Sequence, residues 1–157
     1  METTIIPADL AARLDALMRE HPELSDHGIC WCPPGADLEK DRAELRAHPN
    51  QIEICLVFLG DAPRYKPRTG SYFLKHSLER VLESLGVGRH ISNGSLIAAA
   101  MLLGIEWKSE APNARIGVPR AWATKIEKLA EKRAGKGLER ARPWLPPRKH
   151  VACAGGR

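Results

Sequence analysis

Aromatic residues are scarce in this chain, since two Phe, two Tyr and four Trp make up only 5% of its 157 residues. Leu, Ile, Val and Ala must therefore fill any core. Long apolar runs are also lacking, because none approaches the roughly 20 residues that a membrane span needs. The sequence thus predicts no membrane partner. Its 43% hydrophobic and 27% charged residues are typical of a soluble globular chain with a real core.

Motifs of the common enzyme classes are missing as well. No stretch matches a P-loop, G-x-G-x-x-G, G-x-S-x-G or H-E-x-x-H. His76 and Glu79 lie three apart on a predicted helix, where an acid–base pair is conceivable but helix-surface charge is the usual meaning. We therefore expect no catalytic residues and no cofactor. A small enzyme of unknown class is the third hypothesis, and it requires a pocket that holds His76 or Cys55 beside a carboxylate.

Cysteines are few, namely Cys30, Cys32, Cys55 and Cys153. The opening residues, METTIIPADLAARLDALMRE, carry acids where a signal peptide carries a basic region and then an apolar one. We therefore expect a cytoplasmic protein with reduced thiols. His21 and His27 with Cys30 and Cys32 are zinc-ligand types. Cys-x-Cys lacks the two-residue gap of the common zinc sites, however, so no metal site is predicted.

Charge is distributed unevenly along the chain, whose net charge is +5. Residues 1–63 contain 5 Lys/Arg and 12 Asp/Glu, residues 64–105 contain 6 and 2, and residues 106–157 contain 13 and 5. The three parts therefore carry −7, +4 and +8. A basic face concentrates polyanions near it, which favours a nucleic-acid partner. Alternatively, the charges only solvate helix faces and the acidic part neutralises the basic part.

Hydrophobic periodicity predicts five helices. Three of them cover residues 8–20, 37–47 and 119–134, the last one basic and amphipathic. The fourth helix begins at an N-cap, Thr69 or Ser71, and stops at Gly86. The fifth begins at an N-cap, Ser92 or Asn93, and stops at Gly104. Residues 95–103 are apolar all round, so they should form the centre of the core. Because they need cover on all sides, a homo-oligomer is one expectation.

Two further segments complete the pattern. The apolar run 52–59 fits a buried strand or a buried helix, and periodicity does not distinguish them. Ile105 and Trp107 could begin one short strand, and residues 114–118 another, with the turn chemistry of EAPNA between them. This predicts a small β-hairpin. Residues 135–157 are rich in Gly and Pro and predict a flexible basic tail.

The stretch RYKPRTGSYFLKH places three cations before a helix. Arg64, Lys66 and Arg68 could surround a phosphate at the unpaired N–H groups of the first helical turn, beginning at Ser71. Tyr65 could stack on a base or a sugar. The alternative is a self-capped helix with solvated arginines.

The order helix, turn, helix, hairpin across residues 71–118 resembles a winged helix-turn-helix. A recognition helix must show polar side chains to base edges, and SLIAAAMLLG does not. Any DNA contacts would therefore come from residues 64–70, 89–93 and 115 and from the last basic helix. Such contacts would mostly touch phosphates, which gives affinity and salt dependence but little sequence readout.

The residues SYFLKH, ISNGSLIAAA and PNA carry a likeness over about residues 64–118. The chain resembles small proteins of proteobacterial phages, plasmids and other mobile elements that share an SYxLKH…ISNGxxIAAA…PNA core. Phe73 stands where that pattern has a small residue. The likeness marks as its signature Ser71, Tyr72, Leu74, Lys75, His76, Ser92, Asn93 and Gly94. It implies a context and no activity: a mobile-element accessory protein that binds DNA or blocks a host defence.

The sequence thus predicts a mainly α fold with a small β-hairpin: a compact helical domain with a basic C-terminal helix. Its parts would be an acidic helical region (1–63), a helical core (64–134) and the tail (135–157). The leading hypothesis is a non-catalytic DNA-binding accessory protein. The alternative is a protein-binding inhibitor or adaptor, for example an anti-CRISPR acting on a host nuclease complex. The predicted phosphate contacts are Arg64, Lys66, Arg68, Ser71, Lys75, Arg89, Asn93, Arg115, Arg120 and Lys125.

Overall fold

The computed structural model describes residues 7–29 and 37–141. Within them the helices are α1 (Pro7–Glu20), α2 (Leu38–Ala47), α3 (Pro49–Gly60), α4 (Ser71–Ser84), α5 (Asn93–Leu102) and α6 (Arg120–Ala141). The strands are β1 (Leu24–Ser25), β2 (Gly28–Ile29), β3 (Thr69–Gly70), β4 (Trp107–Glu110) and β5 (Asn113–Ile116). The prediction of a mainly helical fold with a small hairpin is confirmed.

Helix α5 is the centre of the core. The Ser92 side chain accepts a hydrogen bond from the Ser95 N–H and caps the helix, as predicted. All residues from 93 to 100 are buried, and those from 96 to 100 belong to one hydrophobic core with residues of α1, α3, α4 and β5. Since this cover comes from the same chain, the apolar character of α5 gives no reason to expect a homo-oligomer.

The apolar run 52–59 is helical and lies within α3, with Pro49 in its first turn. Its buried residues recur at i, i+3, i+4 and i+7; they are Ile52, Cys55, Leu56 and Leu59. Val57 lies on another face, where it is 82% exposed. Periodicity could not distinguish helix from strand because the exposed side of this helix is apolar too.

A three-stranded antiparallel sheet has the order β3–β5–β4. The predicted hairpin is β4–β5, in which Trp107 pairs with Ile116. The strand β3 was not predicted, because it has only two residues; its Gly70 pairs with Arg115. A second, separate pair is β1–β2, in which Leu24 pairs with Ile29.

Helix α4 begins differently from the prediction. Its N-cap is Gly70, and no side chain caps it, so the predicted cap at Thr69 or Ser71 is wrong. Ser71 is the first helical residue, and its hydroxyl accepts a hydrogen bond from the Ala114 N–H at 3.1 Å. The Ser71 hydroxyl therefore pairs with the backbone of β5 and does not cap the helix. Gly86 follows the helix with φ at 75°, the left-handed conformation predicted for it.

Helix α2 is joined to the end of α1 and the residues after it by hydrogen bonds from Arg42. Arg42 is buried, and its guanidinium donates to the carbonyl oxygens of Met18, Pro22 and Leu24 at 2.8, 2.6 and 3.2 Å. Helices α1 and α3 contribute to the same hydrophobic core as α4 and α5, so the described helices of the acidic part share their core with the rest of the chain.

Helix α6 packs on α4 through a bidentate ion pair, in which Arg80 Nε and Nη2 each lie 2.9 Å from a Glu127 carboxylate oxygen. The described helix extends to Ala141 and is thus longer than the predicted 119–134. The first residues of the predicted flexible tail, 135–141, are therefore helical, and residues 142–157 lie outside the described part of the chain.

Candidate nucleic-acid interface

Four of the predicted cations line one cleft of about 300 Å³ beside the sheet. Lys66 and Arg68 come from the loop after α3, Arg115 from β5 and Arg120 from the start of α6. Among the described residues that line this cleft none is acidic. The fold therefore brings together cations from three separate segments of the chain.

The loop that carries Lys66 and Arg68 is fixed against the sheet. The Tyr65 N–H donates to the Gly117 carbonyl oxygen at 2.8 Å, and a side chain at position 117 would clash with the Tyr65 carbonyl oxygen. Arg115 Nη1 donates to the Arg68 carbonyl oxygen at 3.1 Å. The two cations thus project from a held backbone, which lowers the entropic cost of ordering them around an anion.

The other two cations of the cleft have partners of their own. The Arg120 guanidinium lies 4.1 Å from the centre of the Phe73 ring, a cation–π contact that leaves its charge in place. Arg115 Nε lies 2.7 Å from a Glu110 carboxylate oxygen. The hydrogen bond and the charge of Glu110 raise the pKa of Arg115. Glu110 also reduces the net charge of this end of the cleft.

A shallow groove continues from this cleft along α6. It is lined by Arg120, Thr124, Lys125, Lys128, Leu129 and Lys132, together with Ala121. Arg120 belongs to both depressions, so they form one strip. We call this strip the basic surface and define it by Lys66, Arg68, Arg115, Arg120, Lys125, Lys128 and Lys132.

The last basic helix was expected to contribute contacts, but the list of predicted residues did not include Lys128 and Lys132. A signal for them exists, because positions 120, 124, 128 and 132 are four apart and so lie along one helix face. Lys108 is a further cation near the strip, since it lines a depression with Arg68 and Arg115.

The remaining predicted contacts lie elsewhere. Arg64 Nη1 donates to the Leu59 carbonyl oxygen at 3.1 Å at the end of α3, and Arg89 is exposed in the loop between α4 and α5. Neither lines the two depressions of the basic surface. Ser71 is fully buried, so its hydroxyl cannot contact a phosphate. Lys75 and Asn93 are also buried and belong to a different cleft.

That second depression, which we call the polar cleft, has a volume of about 510 Å³. It lies between α4, the start of α5 and two turns. Its lining is Asp26, His27, Tyr72, Lys75, His90, Ser92, Asn93, Pro112 and Asn113. Six of these residues belong to the SYxLKH, ISNG and PNA segments on which the likeness to mobile-element proteins rests.

Glu79 contacts two residues that line the polar cleft, Lys75 and His90. Its carboxylate accepts hydrogen bonds from Lys75 Nζ at 3.2 Å and from the Ile91 N–H at 3.0 Å. The Nδ1 atoms of His76 and His90 lie 2.8 and 3.1 Å from it. Burial raises the pKa of Glu79, but the hydrogen bonds from Ile91 and Lys75 and the charges of Lys75 and His76 outweigh burial and lower it.

The third hypothesis, a small enzyme, depended on His76 or Cys55. Cys55 is fully buried, and burial raises the pKa of its thiol, with a further contribution from the charge of Glu79. A thiol in that state is not a nucleophile. His76 does lie beside a carboxylate, as that hypothesis requires, but it is not among the residues that line the polar cleft.

The metal ligands considered in the sequence are only partly described, because Cys30 and Cys32 lie outside the described residues. His21 Nδ1 lies 3.4 Å from a Glu23 oxygen, and His27 Nε2 lies 3.7 Å from an Asp41 oxygen. In residues 7–29 and 37–141 no three His, Cys, Asp or Glu side chains are grouped so as to hold a metal ion.

A third surface feature, which we call the apolar groove, lies between α3 and α4 and has a volume of about 370 Å³. Its lining is Glu53, Ile54, Val57, Phe58, Leu78, Val81, Leu82 and Leu85. Val57 and Leu85 are exposed large apolar side chains. An exposed apolar patch of this kind is typical of a protein contact.

Two further findings concern membrane-spanning helices and similarity to known proteins. Among the described helices, none is both long enough and apolar enough to cross a membrane. Comparisons of the chain with protein-family models, with curated proteins and with solved structures found no match.

Proposed function

We propose that this chain is a non-catalytic nucleic-acid-binding protein that contacts mainly the phosphates of DNA. One observation carries the proposal: the loop after α3, β5 and α6 bring Lys66, Arg68, Arg115 and Arg120 into one cleft, which continues into three lysines of α6. The likeness to proteins of phages and plasmids supports a role as an accessory protein of a mobile element.

The length of the basic surface suits a polyanion better than a single phosphate. Arg120 and Lys132 are twelve residues apart on α6, which corresponds to about 18 Å along the helix axis. A strand of several nucleotides spans such a distance. Helix α5 is buried and cannot enter a groove of DNA, so binding should depend on salt more than on sequence.

The test is fluorescence anisotropy of labelled DNA with a charge-reversed variant and a matched control. Lys66→Glu with Arg68→Glu should weaken binding strongly, because it removes two phosphate contacts of the cleft. Arg19→Glu with Lys40→Glu changes the net charge equally, but these exposed residues lie on α1 and α2. Binding by this control should stay close to that of the wild type.

The proposal is contradicted if both double variants lose affinity equally, since the effect would then come from net charge alone. It is also contradicted if the wild type does not bind DNA at physiological salt.

The apolar groove favours a second candidate function, an inhibitor or adaptor that docks on a host nuclease complex. The alternative hypothesis requires an exposed acidic or apolar patch within residues 8–60, and Val57 and Phe58 of that range line the groove. In a plasmid-interference assay against an active CRISPR nuclease, this candidate predicts that the wild type protects the plasmid. Val57→Asp should abolish protection, whereas an unprotected plasmid with the wild type would exclude the candidate.

A further inference from the structure

We propose that the basic cleft takes one unpaired nucleotide of DNA, whose base stacks on Tyr65 while the neighbouring phosphates contact Arg115 and Arg120. The basic cleft is the depression of about 300 Å³ that Tyr65 lines together with Lys66, Arg68, Arg115 and Arg120. The inference rests on the proposed function and makes it more specific, because it names a single strand as the form of DNA that enters this cleft.

Tyr65 presents an aromatic ring at the basic cleft. It is 59% exposed, and within the described part of the chain no second ring and no cation stacks on it. The other tyrosine, Tyr72, is exposed too, but its ring centre lies 4.3 Å from that of His76 and 5.5 Å from Lys75 Nζ. Tyr65 is therefore the tyrosine whose ring remains available to a ligand.

Backbone contacts place Tyr65 between two cations of the basic cleft. Its N–H donates to the Gly117 carbonyl oxygen at 2.8 Å, and the Gly117 N–H donates to the Glu106 carbonyl oxygen at 2.8 Å. Arg115 lies two residues before Gly117 and Arg120 three residues after it, so their Cα atoms are at most about 7 and 11 Å from that of Gly117. A few nucleotides of one strand cover this distance. A base on Tyr65 therefore leaves its neighbouring phosphates near both guanidinium groups.

These two cations are exposed, and contacts within the chain already order them. Arg115 Nη1 donates to the Arg68 carbonyl oxygen at 3.1 Å, and the Arg120 guanidinium lies 4.1 Å from the centre of the Phe73 ring. Arg115 shares its charge with Glu110, whereas the Phe73 ring has no net charge and leaves that of Arg120 available to a phosphate. Both side chains thus lose little further freedom when a phosphate binds.

A single strand is the polyanion that matches an aromatic ring among cations. Its phosphates carry the charge, and each unpaired base has a π-face that stacks on tyrosine with little dependence on sequence. Inside a duplex the faces of each base are covered by the neighbouring base pairs, so Tyr65 could not stack on them. The combination of Tyr65 with four cations therefore favours DNA with unpaired bases.

The test compares a short thymidine oligonucleotide with a strand of the same length that lacks its bases, because the two have the same phosphates. In fluorescence anisotropy at physiological salt, the wild type should bind the thymidine strand about tenfold more tightly, as expected for one stacked base. Tyr65→Ala should lose this preference, whereas Tyr65→Phe should keep it because phenylalanine retains the ring. Equal binding of the two strands by the wild type, or an unchanged preference in Tyr65→Ala, would overturn the inference.

A matched variant and a matched ligand separate stacking on Tyr65 from other effects. Tyr72→Ala should leave the preference unchanged, because Tyr72 is 55% exposed but lines the polar cleft. A hairpin duplex should bind equally to the wild type and to Tyr65→Ala. If Tyr72→Ala loses the preference as well, or if Tyr65→Ala weakens duplex binding as much as single-strand binding, no base stacks on Tyr65.

The same measurements distinguish failure of this inference from failure of the proposed function. If the wild type binds both strands equally and Lys66→Glu with Arg68→Glu abolishes binding of both, the function stands and the stacking site falls. If the preference depends on Tyr65 but Lys66→Glu with Arg68→Glu binds like the wild type, the stacking site stands and the assignment of the phosphate contacts falls. If the wild type binds no DNA, both fall.

Discussion

Glu79 joins helix α4 to the loop that precedes α5. Its carboxylate contacts Lys75 and His76 on α4, the neighbouring His90 and the backbone before α5. Lys75 is buried, and its Nζ lies 3.1 Å from a Glu79 carboxylate oxygen. Removal of that carboxylate would leave the buried ammonium group without its counter-charge.

The first prediction concerns Glu79→Gln. At neutral pH this variant should lower the free energy of unfolding by about 1–3 kcal/mol, because charge-assisted hydrogen bonds are lost. The pKa of Glu79 is lowered in the folded state, so its contribution is present above the unfolded pKa of about 4.3 and is lost as the pH falls through the folded pKa. The difference from the wild type should therefore shrink below about pH 4.

Urea unfolding across this pH range measures the effect. Glu83→Gln is the control, because Glu83 is exposed on the same helix and should leave stability nearly unchanged. A difference that stays constant with pH would contradict this account of Glu79.

The second prediction compares two arginines of α2. Arg42 donates to carbonyl oxygens at the end of α1 and beyond it, so Arg42→Met should lower the free energy of unfolding by about 3 kcal/mol. Arg46 lies 2.9 Å from Asp15 in an ion pair that is partly exposed, so Arg46→Met should cost less than about 1 kcal/mol. Equal losses in denaturant unfolding would show that the buried guanidinium has no special role.

At the scale of elements, α5 and the turn after β1 approach each other closely beside the polar cleft. Gly94 is in the first turn of α5, where a Cβ would clash with the carbonyl oxygen of Ser25 and lie 2.8 Å from that of Asp26. Only a residue without a side chain allows this approach. The position of Asp26 in the cleft therefore depends on Gly94.

The third prediction follows from that contact. Gly94→Ala should destabilise the protein by about 1–3 kcal/mol or more, because backbone would have to move. Gly60→Ala is the control, since nothing lies within 4 Å of a Cβ there and alanine is the better helix former. Thermal melting of both variants measures the effect. A Gly94→Ala protein that melts at the same temperature as the wild type would contradict the close packing of this turn.

The sequence predicted elements well wherever local chemistry decides them. The Ser92 cap, the Gly86 stop and the β4–β5 hairpin are each determined by a few neighbouring residues. The cap of α4 was predicted wrongly, because the Ser71 hydroxyl pairs with the Ala114 N–H, 43 residues away. Such a partner cannot be seen in a local pattern.

At the scale of the whole molecule, the site was only partly predictable. The distribution of charge along the sequence indicated which segments are basic. The grouping of their cations depends on the sheet, which brings Arg115 next to the loop of Arg68. Ser71 is fully buried and does not reach the surface. Asn93 is also buried, and its side-chain amide donates to hydrogen-bond acceptors at the polar cleft. Which polar residues face solvent is a property of tertiary packing, so charge and spacing alone could not show it.

The most direct test of the proposed function is the dependence of DNA affinity on salt. From low to physiological salt, log K against log[salt] should fall linearly for the wild type, as expected for several phosphate contacts. Lys66→Glu with Arg68→Glu should make the slope shallower by about 2, one for each lost contact. A slope that is the same in this variant and in the wild type would contradict the assignment of the basic surface as a phosphate-binding site.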